Sequence, residues 1–323
     1  MKKRSSPWLS PAVLVPIVLA VLAAGYFAFQ MVQGRMARDA ERTQWLVDVE
    51  TETKRRPLNS DALSDLVARL QKLEDHATAR DLVAGLASIE LARGRVPRAA
   101  ELFLPIANQP GASPAEQRLG ARILLNQYEQ GTADRSTAQG MLQQVMAFSA
   151  NAYSDGQDVV DLTREWLAAS RLPDAARARQ VAGQLQQNHA SSPGAQLAKM
   201  TADFRLDLPE ADLEMLRRDF DAAPWDGVPV EIEAMLALVV LQAGDMPKAV
   251  RIVEPALQRV SGVMAIRWAG ALVFHACALG SPVDSAARQG WLVRRDAQLD
   301  WLSAQAPVDD ERRPQWATMR EAR

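Results

Sequence analysis

After Pro57 the apolar positions of this chain recur at intervals of three and four residues almost without interruption. The segments ALSDLVARLQKL, ARDLVAGLASIELA, QRLGARILLNQY, VVDLTREWLAA and EIEAMLALVVLQ all carry this spacing. It places their leucines, valines and isoleucines on one face of a helix. No run shows the strict alternation of apolar and polar residues that marks a half-buried strand. The pattern predicts an all-α chain.

The N-terminal residues follow a different rule. From Pro11 to Gln33 no residue is charged, and most of these 23 positions are apolar. At about 1.5 Å per residue the run predicts a helix of about 34 Å, enough for a hydrocarbon core of about 30 Å. Trp8 precedes the run, and Tyr26 and Phe27 lie towards its far end, where Trp and Tyr favour the membrane interface. Pro16 is tolerable in such a helix. A cleaved signal peptide competes with this reading: KKR, an apolar stretch, then small residues at Ala23 to Gly25. Continuation through YFAFQMV exceeds the core of such a signal and favours an uncleaved anchor. Lys2, Lys3 and Arg4 before the run balance Arg35, Arg38 and Arg42 after it, and the amino terminus tips the count towards a cytoplasmic start. The expected organisation is a cytoplasmic segment at 1–10, a single transmembrane helix at 11–33, a helical stalk at 34–57, a helical array at 58–304 and a tail at 305–323. The stalk carries a thin apolar stripe, Trp45, Leu46 and Val49. The expected location is a bacterial inner membrane, with the C-terminal domain in the periplasm.

Three stretches share one template: LARGRVPRAAELF, LAASRLPDAARAR and LQAGDMPKAVRIV. Each has a Leu eight residues before a Gly or Ser (Leu86, Leu162, Leu236). An aliphatic residue follows the turn (Val96, Leu172, Met246), then a proline (Pro97, Pro173, Pro247), then an alanine (Ala99, Ala175, Ala249). The template describes a helix, a tight turn and a second, antiparallel helix. Gly94 and Gly244 suit the left-handed conformation that ends a helix, and proline suits the first helical position, where its missing N–H costs nothing. Weaker copies centre on Gly131 in YEQGTADRSTAQ, on FRLDLPEADLEM with Leu208, Pro209 and Ala211, and on Gly280 in ACALGSPVDSAAR. Markers near 94, 131, 170, 206, 244 and 280 then recur every 36 to 39 residues. A helix pair of this kind has more apolar face than it can bury alone, so such pairs stack into arrays.

On these residues the chain resembles the tetratricopeptide-repeat family. ASIELARGRVPRAAELF and LALVVLQAGDMPKAV match its Gly, aromatic or aliphatic, Ala turn with an upstream Leu and small residue. The spacing is longer than the family's usual 34 residues. Val, Leu or Met replaces the aromatic after the turn, and the usual Trp of the first helix is absent. The resemblance implies an α-solenoid whose concave groove, lined by the first helix of each repeat, holds a protein segment.

Composition narrows the function classes. The net charge is −2, with 37 basic and 39 acidic residues dispersed along the chain, so there is little electrostatic pull on nucleic acid and none is expected as partner. Six of the basic residues are Lys and 31 are Arg, and the chain is rich in Ala, a composition associated with GC-rich bacterial genomes. The one cysteine, Cys277, excludes an internal disulfide and reads as a small core residue. His76, His189 and His275 lack zinc-ligand spacing, and His275 reads as a core histidine. No phosphate-binding loop, dinucleotide fingerprint, nucleophile elbow or zinc-protease motif occurs. Asp219, Asp221 and Asp226 gather around Pro224 and Trp225, read here as an inter-repeat turn; a hydrolase site using these aspartates is the enzymatic alternative. DDERRP, Asp309 to Pro314, reads as a solvated tail cluster. Trp268, Trp291, Trp301 and Trp316 crowd the last quarter, as core and terminal cap or as an aromatic patch for a partner. Glu165 and Trp166 are candidates for the groove.

The expectation is a non-enzymatic, membrane-anchored scaffold without cofactor, metal or catalytic residues. Its partners would be a protein held in the concave groove and the membrane through residues 11–33. It would serve assembly of a bacterial envelope or secretion complex. Self-association through the Trp-rich end is the alternative.

Overall fold

The computed structural model describes residues 11–55, 57–73, 76, 78–172, 175–202, 208–222, 225, 227–306 and 310–322, with side chains from Tyr26 onward except at 28, 175 and 202. Among the described residues every regular element is a helix, fifteen in all, and neighbouring helices pack on one another as a helical repeat requires. The chain forms two compact units, one ending at Arg93 and one beginning at Gly94.

The first unit holds α1 (Pro11–Lys54), α2 (Ser60–Leu70) and α3 (Arg80–Ala92). Expectation and structure part here. Among the described residues no helix is long and apolar enough to cross a membrane, so the transmembrane helix expected at 11–33 is withdrawn, and with it the support for a membrane partner. Residues 1–10 lie outside the described residues. Residues 11–33 are the first part of a helix that runs on unbroken to Lys54. From Arg35 to Lys54 the same helix carries charged residues on almost every turn. A span needs about 20 apolar residues.

The second half of α1 packs on α2 and α3. Trp45 is 1% exposed, sits with Val49, Leu63, Leu66 and Leu82 in one core, and donates its indole N–H to Leu66 O at 2.8 Å. Gly85 of α3 makes room for it: a Cβ there would lie 2.5 Å from the Trp45 ring. Asn59 caps α2, accepting from the Asp61 and Ala62 amides. Arg42 of α1 pairs with Asp81 of α3, and Arg69 of α2 with Asp48 of α1 at 2.8 Å. The Arg69 hydrogen bond holds the Asp48 carboxyl below its usual range. Burial opposes the Asp81 charge, but the Arg42 hydrogen bond and charge, together with backbone amide donors, outweigh it and lower that carboxyl too.

The second unit runs through α4 (Val96–Ala107), α5 (Pro114–Glu129), α6 (Arg135–Gly156), α7 (Val159–Ser170), α8 (Ala175–Asn188), α9 (Pro193–Ala202), α10 (Glu210–Asp221), α11 (Val230–Gln242), α12 (Met246–Arg259), α13 (Met264–Leu279), α14 (Ala286–Gln305) and α15 (Arg313–Glu321). Each helix packs on the next, and first helices of successive pairs also touch: α5 on α7, α7 on α9, α11 on α13. The turn chemistry explains where the helices stop. Gly94, Gly131 and Gly244 adopt φ of +74°, +66° and +86°. Pro97 and Pro247 stand in the first turn of the helix that follows. Gly280 keeps a negative φ, so that turn is built differently, with Asp284 at φ +65°. The marker near 206 and Pro173 lie outside the described residues.

Two devices fix the stacking of first helices. Asp161 of α7, fully buried, accepts from Arg118 of α5 at 2.6 and 2.9 Å and from Arg164 at 2.9 Å. Gly194 opens α9, and a Cβ there would run into the Thr163 side chain of α7. At the C-terminal end, Trp316 and Met319 of α15 are buried against Trp268, Leu299 and Leu302. Arg295, 1% exposed, donates to Ala322 O at 2.8 Å and Arg320 O at 3.2 Å, satisfying carbonyls at the end of α15.

Candidate functional site

Within the second unit the helices curl until the turn after α5 meets the loop between α12 and α13. The Gly262 amide donates to Glu129 O at 2.9 Å, and Ser261 Oγ to Gln130 O, 131 residues away in sequence, at 2.6 Å. The approach is so close that both loops need glycine. A Cβ on Gly131 would lie 2.7 Å from Gly262 N, and one on Gly262 would collide with the Tyr128 carbonyl oxygen.

This contact borders a hollow of about 790 Å³ that no side chain fills. Trp166, Ala234, Met235 and Leu238 form its most enclosed part, each less than a tenth exposed. Trp268 of α13 and Trp301 of α14 stand on another wall, while Leu142 of α6 and Ala178 and Ala182 of α8 add to the apolar lining. Second helices therefore share a surface that the resemblance assigns to first helices alone. Arg135, Gln139, Arg179 and Gln305 bring hydrogen-bonding groups to it.

The polar centre of this wall is Arg171, 4% exposed at its side chain. It donates to Glu231 of α11 at 2.8 and 3.1 Å and to Glu129 of α5 at 2.9 Å, and its guanidinium lies 5.6 Å from the Tyr128 ring centre. Burial works against the Arg171 charge, but attraction to Glu231 and Glu129 outweighs it and raises its pKa above the ordinary arginine value. Burial pushes the Glu129 carboxyl up, with Arg171 opposing. Burial also pushes the Tyr128 phenol up to about 12. One cation thus ties three helices to the strand of backbone that accepts the Gly262 amide. Removing it would strand two carboxylates away from water.

Of the residues singled out in the sequence, the structure brings Trp166, Trp268 and Trp301 together on the hollow. Glu165 is not there: it is buried and paired with Arg177. Trp291 stacks on Phe274 at 5.8 Å, and Trp316 packs against Trp268 at 6.4 Å, both outside the lining. Asp219 and Asp221 stand at the end of α10, Trp225 leans on Phe220 at 4.9 Å, and Asp226 and Pro224 lie outside the described residues. His275 meets Arg295 at 3.2 Å, and burial together with that charge lowers its pKa. His76 contacts Leu73 O, and His189 contacts the Tyr153 hydroxyl. Cys277 is half-buried, and burial pushes its thiol up. Among the described residues no group of three or more His, Cys, Asp or Glu is placed to hold a metal ion.

The tail cluster read as solvated behaves otherwise. Asp310 and Arg312 line the hollow, paired at 2.7 Å, with the Arg312 guanidinium 5.7 Å from the Trp316 ring centre. Arg171, Glu129, Glu231 and Gly262 escaped the sequence reading altogether. Arg171 directly follows the Ser170 turn marker, but nothing in the periodicity distinguishes it from Arg95 or Asp245 at the matching positions. No family model matches the chain, and no curated protein is similar to it.

The lining suits recognition. Three indole rings, two methionines and three leucines offer contact area to aromatic or aliphatic groups, and the surrounding arginines and amides offer hydrogen bonds to a main chain.

Proposed function

We propose that this chain is a non-enzymatic helical-repeat adaptor that holds a segment of a partner protein in the hollow of its second unit. The observation that carries the reading is the unfilled hollow itself, walled by Trp166, Trp268 and Trp301. A recess of this size, mostly apolar with a few polar groups at its edge, has the form of a binding site. The left-handed glycines at 94, 131 and 244 support the finer description as tetratricopeptide-like.

A photo-crosslinking residue at Ala265, a half-exposed position on the hollow, tests this in the native host. The adaptor reading expects one polypeptide to be captured from position 265 and not from Val293, which is 68% exposed and outside the hollow. Filling the hollow with Ala234→Trp should abolish the capture while the helical signal persists. Capture that survives Ala234→Trp, or none from the hollow, would remove the reading.

A further inference from the structure

The hollow is lined unevenly. Helices α7, α11 and α14 give it Trp166, Met235 and Trp301, whereas α6 and α8 give it Arg135, Gln139 and Arg179 and no carboxylate. Both carboxylates of the described lining are already matched: Glu231 holds Arg171, and Asp310 holds Arg312. Arg135, by contrast, makes no ion pair among the described residues. Its neighbour Asp134 is turned to the Thr137 amide at 3.0 Å and hydroxyl at 2.9 Å, as the cap of α6.

A second unbalanced cation stands behind Trp301. The Arg267 guanidinium lies 4.9 Å from the centre of that ring and donates to Ser261 O and Gln298 Oε1, both neutral and both at 2.7 Å. No carboxylate among the described residues pairs with it, and burial lowers its pKa from the ordinary arginine value. With Arg267, and with Glu129, which shares Arg171, the hollow and its backing hold five arginines against three carboxylates. The whole chain has a net charge of −2, so this positive excess is local. In a mostly apolar recess it favours an occupant that brings carboxylates of its own.

We propose that the segment held in the hollow is acidic: its carboxylates meet Arg135 and Arg179, and a bulky apolar side chain beside them lies against Trp166 and Trp301. This rests on the reading of the hollow as a site for a partner protein. Guanidinium and carboxylate match in shape as well as charge. Arg135 is half-buried, which shields such a pair from part of the screening that weakens exposed ones.

With the crosslinking residue at Ala265 in the native host, mass spectrometry of the joined peptides identifies the captured segment. A net negative segment carrying a large apolar residue is expected. In the full chain, Arg135→Glu with Arg179→Glu should lower the capture roughly tenfold or more, and Arg135→Lys with Arg179→Lys should lower it less. Glutamate is a good helix former, and at 135 it stands in the first turn of α6, where negative charge is favoured. An unchanged unfolding midpoint checks that the fold is kept; if the double reversal lowers it, Arg135→Glu alone decides, with a loss of roughly threefold. Lysine in place of the captured segment's acidic residues should restore capture by the reversed chain. A neutral or basic captured segment, or capture indifferent to the reversal, overturns the acidic occupant and leaves the adaptor reading standing. If no polypeptide is captured at 265, the adaptor reading falls and the acidic occupant with it.

Discussion

Gly244 and Gly131 end first helices of their pairs in the same left-handed conformation, yet they are held for different reasons. Around Gly244 nothing lies within 4 Å of where a Cβ would stand; only its φ of +86° asks for glycine. Around Gly131 a Cβ would press on the backbone of Gly262, from the far side of the array. The first glycine makes a turn. The second makes a turn and also closes a ring of helices around a hollow. A repeat that looks uniform along the chain thus carries one turn with a long-range task, and the candidate site lies beside that turn.

The difference can be broken most forcefully at Gly262. Gly262→Val should cost more than about 3 kcal/mol in denaturant unfolding, because the clash with Tyr128 O and the loss of the Glu129 hydrogen bond come together. Next, Arg171→Ala should cost about 3 kcal/mol, since it leaves the buried Glu231 and the half-buried Glu129 without their cation. Arg171→Ala combined with Glu129→Gln and Glu231→Gln should recover part of that loss, which a purely steric role for Arg171 would not allow. The paired glycines sharpen the contrast directly. Gly244→Ala should cost about 1 kcal/mol, the strain of a left-handed alanine. Gly131→Ala should cost that amount plus about 2 kcal/mol for the collision. Equal costs at the two positions, read from matched denaturation curves, would mean that the ring contact is not made in solution.

The smallest expected effect is the response to acid, and it has opposite signs at the Asp48 and Asp81 pairs and at Glu129. Asp48 and Asp81 in the first unit have folded pKa values below the ordinary range. Their contribution is present above about pH 4, the unfolded value, and is lost as pH falls through the folded ones. Glu129 beside the ring contact is raised by burial, so its ionised form is a cost at neutral pH that is relieved as pH falls. Hydrogen exchange followed from pH 5 to 3 should show α1–α3 loosening first, and Arg69→Ala should flatten the part of that response due to Asp48. A uniform acid response across both units would contradict these assignments.

Much of the array was legible because its rules are local. Gly94, Pro97, Gly244 and Pro247 act within one turn of their own helices, and apolar spacing of three and four reports one helix face at a time. Trp166 could be placed on a first helix for the same reason. The hollow was not legible. The meeting of residues 129–131 with 261–262 depends on how small rotations between helix pairs accumulate, and no single repeat encodes that sum. Gly262 follows Ser261 outside any periodic position, and Asp310 and Arg312 look like any polar tail until α15 turns Trp316 into the core. The N-terminal reading failed on a different point. The uncharged run from Pro11 to Gln33 predicts a span, whereas the segment is part of one long helix whose second half packs through Trp45 and Val49, and among the described residues nothing meets the length and apolarity of a membrane crossing.

The central claim is that the second unit closes on itself around the hollow. Residue-resolved amide exchange at Gly262 in the full chain tests it most directly, because that N–H donates across the ring, to Glu129 O. Closure predicts exchange roughly a hundredfold or more slower than for a solvated loop amide, and a return to loop rates in Gly131→Ala. Free-loop exchange at Gly262 in the unaltered protein would contradict it.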